Sequence, residues 1–257
     1  MSLRRAKQII YAGFFIGIWY VIIAGGYHLF VKPEPTCFDN IQNQNEAGVD
    51  CGGVCAKVCI PAGVQSITLV PGERVISFQT DATHISFLAH VENPNVSYGT
   101  KDFVYHFSLY DDQGTLVQSF SGNSFIYAGE LKYILLPHVN LPKYHFSKVD
   151  FTVDTPVWIP KSQFDGPPQI AVSGITPGIS SSTVTVSGQA TNNDTIIFPA
   201  ITIVAIFPGQ FGQVAAVSQT EIEDLAPNRS APFSVIYPFV TNINFAAVKV
   251  YAYAARP

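Results

Sequence analysis

The chain has 257 residues, of which 12% are charged and 47% hydrophobic, with a formal net charge of −4. An ordinary soluble domain carries about twice that share of charge; with 18 Pro, 19 Gly and 13% aromatics, the composition excludes a disordered acidic chain and a coiled coil. A single methionine and an abundance of Val, Ile, Phe, Tyr and Thr point to pleated sheets rather than a helical bundle, and the acidic balance disfavours a nucleic-acid partner.

Charge is split along the chain. Arg4, Arg5, Lys7 and Lys32 precede residue 34, while all 18 acidic residues lie from Glu34 onward, leaving that part at −8 (ten basic against 18 acidic). Residues 9–31, IIYAGFFIGIWYVIIAGGYHLFV, contain no Asp, Glu, Lys or Arg. At 1.5 Å per residue they reach roughly 34 Å, enough to cross a lipid bilayer core with some tilt. Arg4, Arg5 and Lys7 predict a cytoplasmic N-terminus over residues 1–8, with everything after residue 32 extracytoplasmic. Two readings share this topology: a lasting single-pass anchor, or a signal peptide cleaved near Ala24-Gly25-Gly26. The run is longer than the usual ~7–15-residue signal core and continues through Leu29-Phe30-Val31, which favours the anchor. Gly13-x-x-x-Gly17 could pair two such helices, although the pattern is common in Gly-rich spans.

Residues 32–61 hold all four cysteines: Cys37, Cys51, Cys55 and Cys59. An even, clustered count outside the cytoplasm predicts two disulfides, with three connectivities open. Zinc is disfavoured by the loose Cys-x-x-x-Cys spacing and by the absence of histidine from the window. The segment has few aliphatic residues (Ile41, Val49, Val54, Val58), so crosslinks rather than burial must hold it. Asp39, Asn43, Glu46 and Asp50 supply hard oxygen atoms in a Gly-containing loop, the chemistry calcium prefers. The competing expectation is a solvated polar turn tied by the disulfides.

This stretch resembles a short Cys-rich motif of exported bacterial proteins, Cys-x-Asp-x-Ile-x-Asn-x-x-Glu-x-Gly-x-Asp-Cys-Gly-Gly-x-Cys. Cys37, Asp39, Ile41, Asn43, Glu46, Gly48, Asp50, Cys51, Gly52, Gly53 and Cys55 all fall on it. The resemblance implies a surface-protein linker module rather than an activity.

From residue 62 the hydrophobic period becomes two. Ile85, Phe87, Ala89 and Val91 share one face, and Phe103, Tyr105, Phe107 and Leu109 alternate up to a hairpin-type turn at Asp111-Asp112-Gln113-Gly114. Val149, Phe151 and Val153 form a third run. Short alternating strands with Pro- and Gly-rich turns predict an all-β antiparallel, immunoglobulin-like sandwich over residues 62–165. The plan then recurs at an offset of about 98–100 residues. Val184 to Ser187 leads to Asn192-Asn193-Asp194, and Ile201 to Phe207 meets Pro208-Gly209-Gln210-Phe211-Gly212. A second sandwich is therefore expected over residues 166–257, after a Pro/Gly boundary at Lys161–Pro168 that should limit swing.

Both halves resemble the bacterial FxLYD family of extracytoplasmic sandwich domains. The first carries Phe107-Ser108-Leu109-Tyr110-Asp111 followed by Gly114; the second carries Val186-Ser187-Gly188, Asn192-Asn193 and Leu225-Ala226-Pro227-Asn228-Arg229-Ser230, but has Val204-Ala205-Ile206-Phe207-Pro208 at the signature. The likeness implies a non-catalytic surface module and does not name a ligand.

Residues able to do chemistry are sparse. His84, His90 and His106 share outward strand parity, either as a metal patch or as a solvated face. Tyr98, Tyr127, Tyr133 and Tyr144 lie near loops, where a binding surface or simple edge packing would place them. Ile201–Phe207 is apolar on both parities, so Thr202, Val204 and Ile206 are expected to face away from their own core. Either they form an open interface for another protein or a neighbouring domain covers them. The expected function is structural or adhesive: sandwich domains presented from the membrane for protein partners in the cell envelope. A ligand-binding or sensor ectodomain is the alternative, and no catalytic residue or cofactor other than calcium is expected.

Overall fold

A computed structural model describes residues 3–27, 36–57, 59, 61–79, 83–141, 145–164, 166–180, 182–238 and 242–256. Lys32, Leu29, Phe30, Val31, Val58, Tyr144 and the 165/166 boundary at Asp165, all invoked above, lie outside these residues. The chain divides into two compact units, Met1–Cys59 and Ile60–Pro257.

In the first unit, α1 (Leu3–Gly26) is a single helix whose stretch Lys7–Gly26 is long and apolar enough to cross a membrane. Its 20 residues rise about 30 Å, the thickness of a bilayer core. Isoleucine, phenylalanine and tryptophan project around the whole helix and are exposed, as in a segment whose solvent is lipid rather than one that packs a single stripe on a core.

The collar follows as a series of tight turns. Its cysteines pair Cys37–Cys55 and Cys51–Cys59, which settles the connectivity. Asn40, Asn45, Asp50, Gly52 and Gly53 all have positive φ, a conformation that these residue types tolerate best. Gly53 is obligatory, because a Cβ there would lie 2.0 Å from the Asn45 carbonyl oxygen.

The second unit is all antiparallel β. Its strands are β1 (Thr68–Leu69), β2 (Ile76–Gln79), β3 (His84–Glu92), β4 (Tyr98–Tyr110), β5 (Leu116–Ile126), β6 (Leu131–Asn140), β7 (Lys148–Val153), β8 (Ile159–Pro160), β9 (Ile170–Ile179), β10 (Thr183–Asn192), β11 (Phe198–Pro208), β12 (Val214–Leu225), β13 (Ser230–Pro238) and β14 (Lys249–Tyr253). In the first sandwich β3 is flanked by β6 on one side and by β1 and β2 on the other, facing a sheet ordered β5-β4-β7 with β8 pairing the start of β4. In the second, β9-β10-β13 faces β12-β11-β14. The central strands of the two facing sheets and the edge strand that follows thus correspond in order, β3 to β10, β4 to β11 and β5 to β12.

The repeat extends to individual hydrogen bonds. The buried Asn93 side chain donates to the carbonyls of Tyr98 and Tyr127 at 2.7 and 2.8 Å and accepts from the Asn95 amide. Asn192, 99 positions later, donates to Ile196 and Leu225 at 2.8 and 2.9 Å and accepts from the Asp194 amide. Each asparagine closes one end of its sandwich by satisfying carbonyls that the sheet leaves unpaired. The turns at Gly114 and Gly212 match as well, with φ of 77° and 83°.

Candidate functional site

Each sandwich has its own core. Phe87, Phe107, Leu109 and Ile134 fill the first, and Val186, Ile201, Phe207 and Val235 the second. A third apolar layer lies between them. Phe78, Leu88 and Leu135 from the β2-β3-β6 side meet Val204, Ile206, Val217 and Tyr253 from the β12-β11-β14 side. The unit is therefore four stacked sheets, not two beads on a linker. The two inner sheets are covered on both faces, which is why β11 reads as a near-continuous apolar run, whereas β3 (HISFLAHVE) is apolar on both faces only over Phe87-Leu88-Ala89.

This corrects the expectation of an open interface at Thr202, Val204 and Ile206. Val204 is 1% and Ile206 3% exposed, both sealed against the first sandwich, and Thr202 is half-buried beside them. The apolar outer face exists as read from the sequence, but the chain covers it itself.

Polar groups fix the register of this seam. The Tyr127 hydroxyl donates to the Ala254 carbonyl at 3.0 Å and accepts from the Arg256 amide at 3.0 Å, while its ring stacks on Phe164. The Tyr253 hydroxyl accepts from the Tyr133 amide at 3.1 Å. Arg256 also donates through Nε to Gly166 and forms an ion pair with Asp194. Burial raises the Asp194 carboxyl, but amide bonds from Thr195 and Gln169 and the Arg256 guanidinium outweigh it and hold the carboxyl below its usual range.

Lys132 is the unusual group. Only 4% exposed, it donates to the Phe125 carbonyl at 2.8 Å, and its ammonium lies 3.2 Å from the Phe125 ring centre and 5.2 Å from that of Tyr253. Burial drives its pKa down to about 7, against the pull of Glu130. Glu130 is raised by burial, partly offset by the Tyr127 amide it accepts at 2.7 Å and by Lys132. The tyrosines on both sides respond to the same dry setting: burial pushes Tyr127 and Tyr133 up to about 12 and Tyr253 higher still.

The three outward histidines have separate partners and are divided between β3 and β4, which lie in different sheets. His90 sits against Glu73 at 3.0 Å and stacks on Tyr133, His106 lies 3.2 Å from Asp154, and His84 is edge-on to His138. Nor do the loop tyrosines make a surface: Tyr127 is fully buried, Tyr133 packs in the seam and Tyr98 is half-buried. A recess of about 80 Å³ between Val64–Ile67 and Val153–Trp158 is the size of a few waters, well below the ~300 Å³ at which ligand pockets begin.

In the collar, Asp39, Asn43, Glu46 and Asp50 are brought together, chiefly as acceptors for backbone amides. Asp50 accepts from the amides of Asp39 and Asn40 at 3.0 and 2.9 Å, and Glu46 from those of Asn43 and Asp50 at 3.3 and 3.2 Å. Asp39 accepts from the Asn43 side chain at 2.8 Å and from the amides of Ile41 and Thr36, bonds that lower its pKa, the Asn43 bond most. The turn geometry thus accounts for these positions without an ion. Asn43 Oδ1 is the one buried side-chain oxygen without a partner among the described residues. Cys37, Glu46 and Cys55 also cluster within 4.8 Å, but both sulfurs are spent in one disulfide, so no thiolate is offered to a metal.

No protein-family model matches the chain, and no curated protein matches it. Among solved structures, the crystal structure of red sea bream transglutaminase is similar over 72% of this chain and 32% of that one, at 12% identity and a TM-score of 0.22. A likeness that slight carries no inference about function.

Proposed function

We propose that this is a single-pass, extracytoplasmic structural protein that holds a stiff β-sandwich block at the cell envelope for contact with other proteins. One observation carries the proposal: a helix of membrane-spanning length, uncharged beyond Lys7 and carrying Arg4 and Lys7 in its first turns, leads into a segment whose four cysteines are all oxidised. Disulfides persist outside the cytoplasm, and basic residues favour the cytoplasmic side, so both cues give one orientation. The block itself supports a mechanical role. Its two sandwiches share a buried seam, so a load applied at one is met by the other rather than by a linker. Membership of an FxLYD-like group of bacterial envelope domains belongs to this proposal and rests on the residues quoted above.

Alkaline carbonate extraction of native membranes tests the anchor, with the full-length chain expected in the pellet and residues beyond the collar open to protease from outside. A soluble mature form beginning at Tyr27 would replace the anchor by a cleaved signal.

A further inference from the structure

An unpaired strand at a sheet edge offers its backbone amides and carbonyls to any other strand, and folded proteins blunt such edges with proline, charge, bulges or shortness. The edges of the four sheets here are nearly all blunted in this way. β2, β7 and β14 have only four, six and five residues, and β7 and β14 carry Lys148, Asp150 and Lys249. β6 is interrupted by Pro137, β9 by Pro177 with a left-handed Gly174, and β13 by Pro232. β12, the counterpart of β5, carries Glu221, Glu223 and Asp224, and its Ser218 hydroxyl is tied to the Ile236 carbonyl of β13 at 2.7 Å.

β5 carries neither proline nor charge; its one bulge, at Val117 where Leu109 pairs with Gln118 and Tyr110 with Leu116, and the Lys132 bond to the Phe125 carbonyl both lie near its ends, leaving Gln118 to Ser124 without such a feature. The strand lies at the end of the β5-β4-β7 sheet and runs for 11 residues, LVQSFSGNSFI. Ser119, Ser121 and Asn123 point outward and are exposed; Phe120, Gly122 and Ser124 face the core side and are half-buried. Gly122 is filled by its own neighbour, since a Cβ there would lie 2.4 Å from the Tyr105 hydroxyl.

We infer that β5 is a homodimerisation edge, which pairs antiparallel with β5 of a second copy of this chain. Two properties of the strand select this occupant. An isologous pair sets each strand against its own sequence, so any charge would meet a like charge close to the axis, and β5 carries none. The sequence is also self-complementary in size: antiparallel pairing about Gly122 sets Phe120 of each copy opposite Ser124 of the other, and Ser121 opposite Asn123. The inference rests on the proposed anchoring only for its strength, because two copies held in one membrane meet at a raised effective concentration.

Sedimentation equilibrium of the full chain in detergent tests it. A concentration-dependent dimer is expected. Ser121→Lys and Ser121→Glu, at an exposed position, should each raise the dimer Kd at least about tenfold, and an equimolar mixture of the two should recover pairing. A parent chain that stays monomeric at every concentration overturns the inference, including the case in which β5 serves an unrelated protein. So does a dimer that Ser121→Lys leaves intact, which would move the contact to another surface such as Gly13 and Gly17. Failure of the carbonate test would remove the anchor and leave this result standing.

Discussion

Lys132 and Phe125 face one another beneath the seam: the ammonium donates to the Phe125 carbonyl at 2.8 Å and lies over the Phe125 ring. A buried cation is tolerated here because a carbonyl, two aromatic faces and Glu130 share its charge. The residual cost appears as the lowered pKa of the lysine.

That cost sets a pH dependence. Between about pH 7 and 10.5 the unfolded chain keeps the Lys132 proton while the folded chain releases it, so stability rises with pH across this window. Glu130, with its pKa raised by burial, acts in the opposite sense at lower pH, losing stability as pH climbs past the usual carboxylate range. The midpoint of thermal unfolding should therefore be higher at pH 9 than at pH 7. Lys132→Met, which keeps the stem and removes the charge, should flatten the rise. An unchanged slope in that variant would place the titration elsewhere.

The seam should make the two sandwiches unfold together. Val204→Ala is expected to cost about 2 kcal/mol through lost burial and a residual cavity. Val204→Asp should cost more than about 4 kcal/mol, because the carboxylate would be buried without a partner. Urea unfolding followed by Trp158 fluorescence should report both losses, although the tryptophan belongs to the other sandwich. A Trp158 transition unaffected by Val204→Asp would mean that the domains are thermodynamically independent.

Asn93 and Asn192 should be interchangeable in energetic terms. Each satisfies two carbonyls and accepts an amide at its sandwich end, so Asn93→Ala and Asn192→Ala should each cost about 3 kcal/mol. Denaturant midpoints of the two variants, read side by side, check this. A large loss at one and none at the other would show that the repeat is one of shape and not of energetics.

For the collar, peptide mapping without reduction should return the Cys37–Cys55 and Cys51–Cys59 pairs. By loop-closure entropy these are worth about 3 and about 2.5 kcal/mol. Because the carboxylates of Asp39, Glu46 and Asp50 already cap amides, the amide chemical shifts of residues 36–59 should not move on adding calcium to a few millimolar. Saturable shifts at Asn43 and its neighbours would establish instead the ion that the acidic composition suggests.

The sequence alone determined much of this protein, wherever the signal is local. The helix follows from a charge-free run flanked by basic residues. The disulfide content follows from four clustered cysteines, and the strands from two-residue alternation, as at Phe103 to Leu109. The tandem plan follows from a near-99-residue offset that the structure reproduces down to the bonds of Asn93 and Asn192. Even the double-sided apolarity of Ile201–Phe207 was legible. What covers it was not, because periodicity states how many faces a strand must bury and is silent on which distant surface meets it. Only the tertiary structure brought Phe78, Leu88 and Leu135 onto Val204 and Ile206, more than 60 residues away in the chain. The same stacking drew Tyr127 inward and buried Lys132, a residue that composition would place in water. The choice among three disulfide pairings was likewise spatial, set by the run of left-handed turns from Asn40 to Gly53 that brings Cys37 to Cys55 and Cys51 to Cys59. Local preferences are written in neighbouring residues; these partnerships depend on where the folded backbone places residues far apart in sequence.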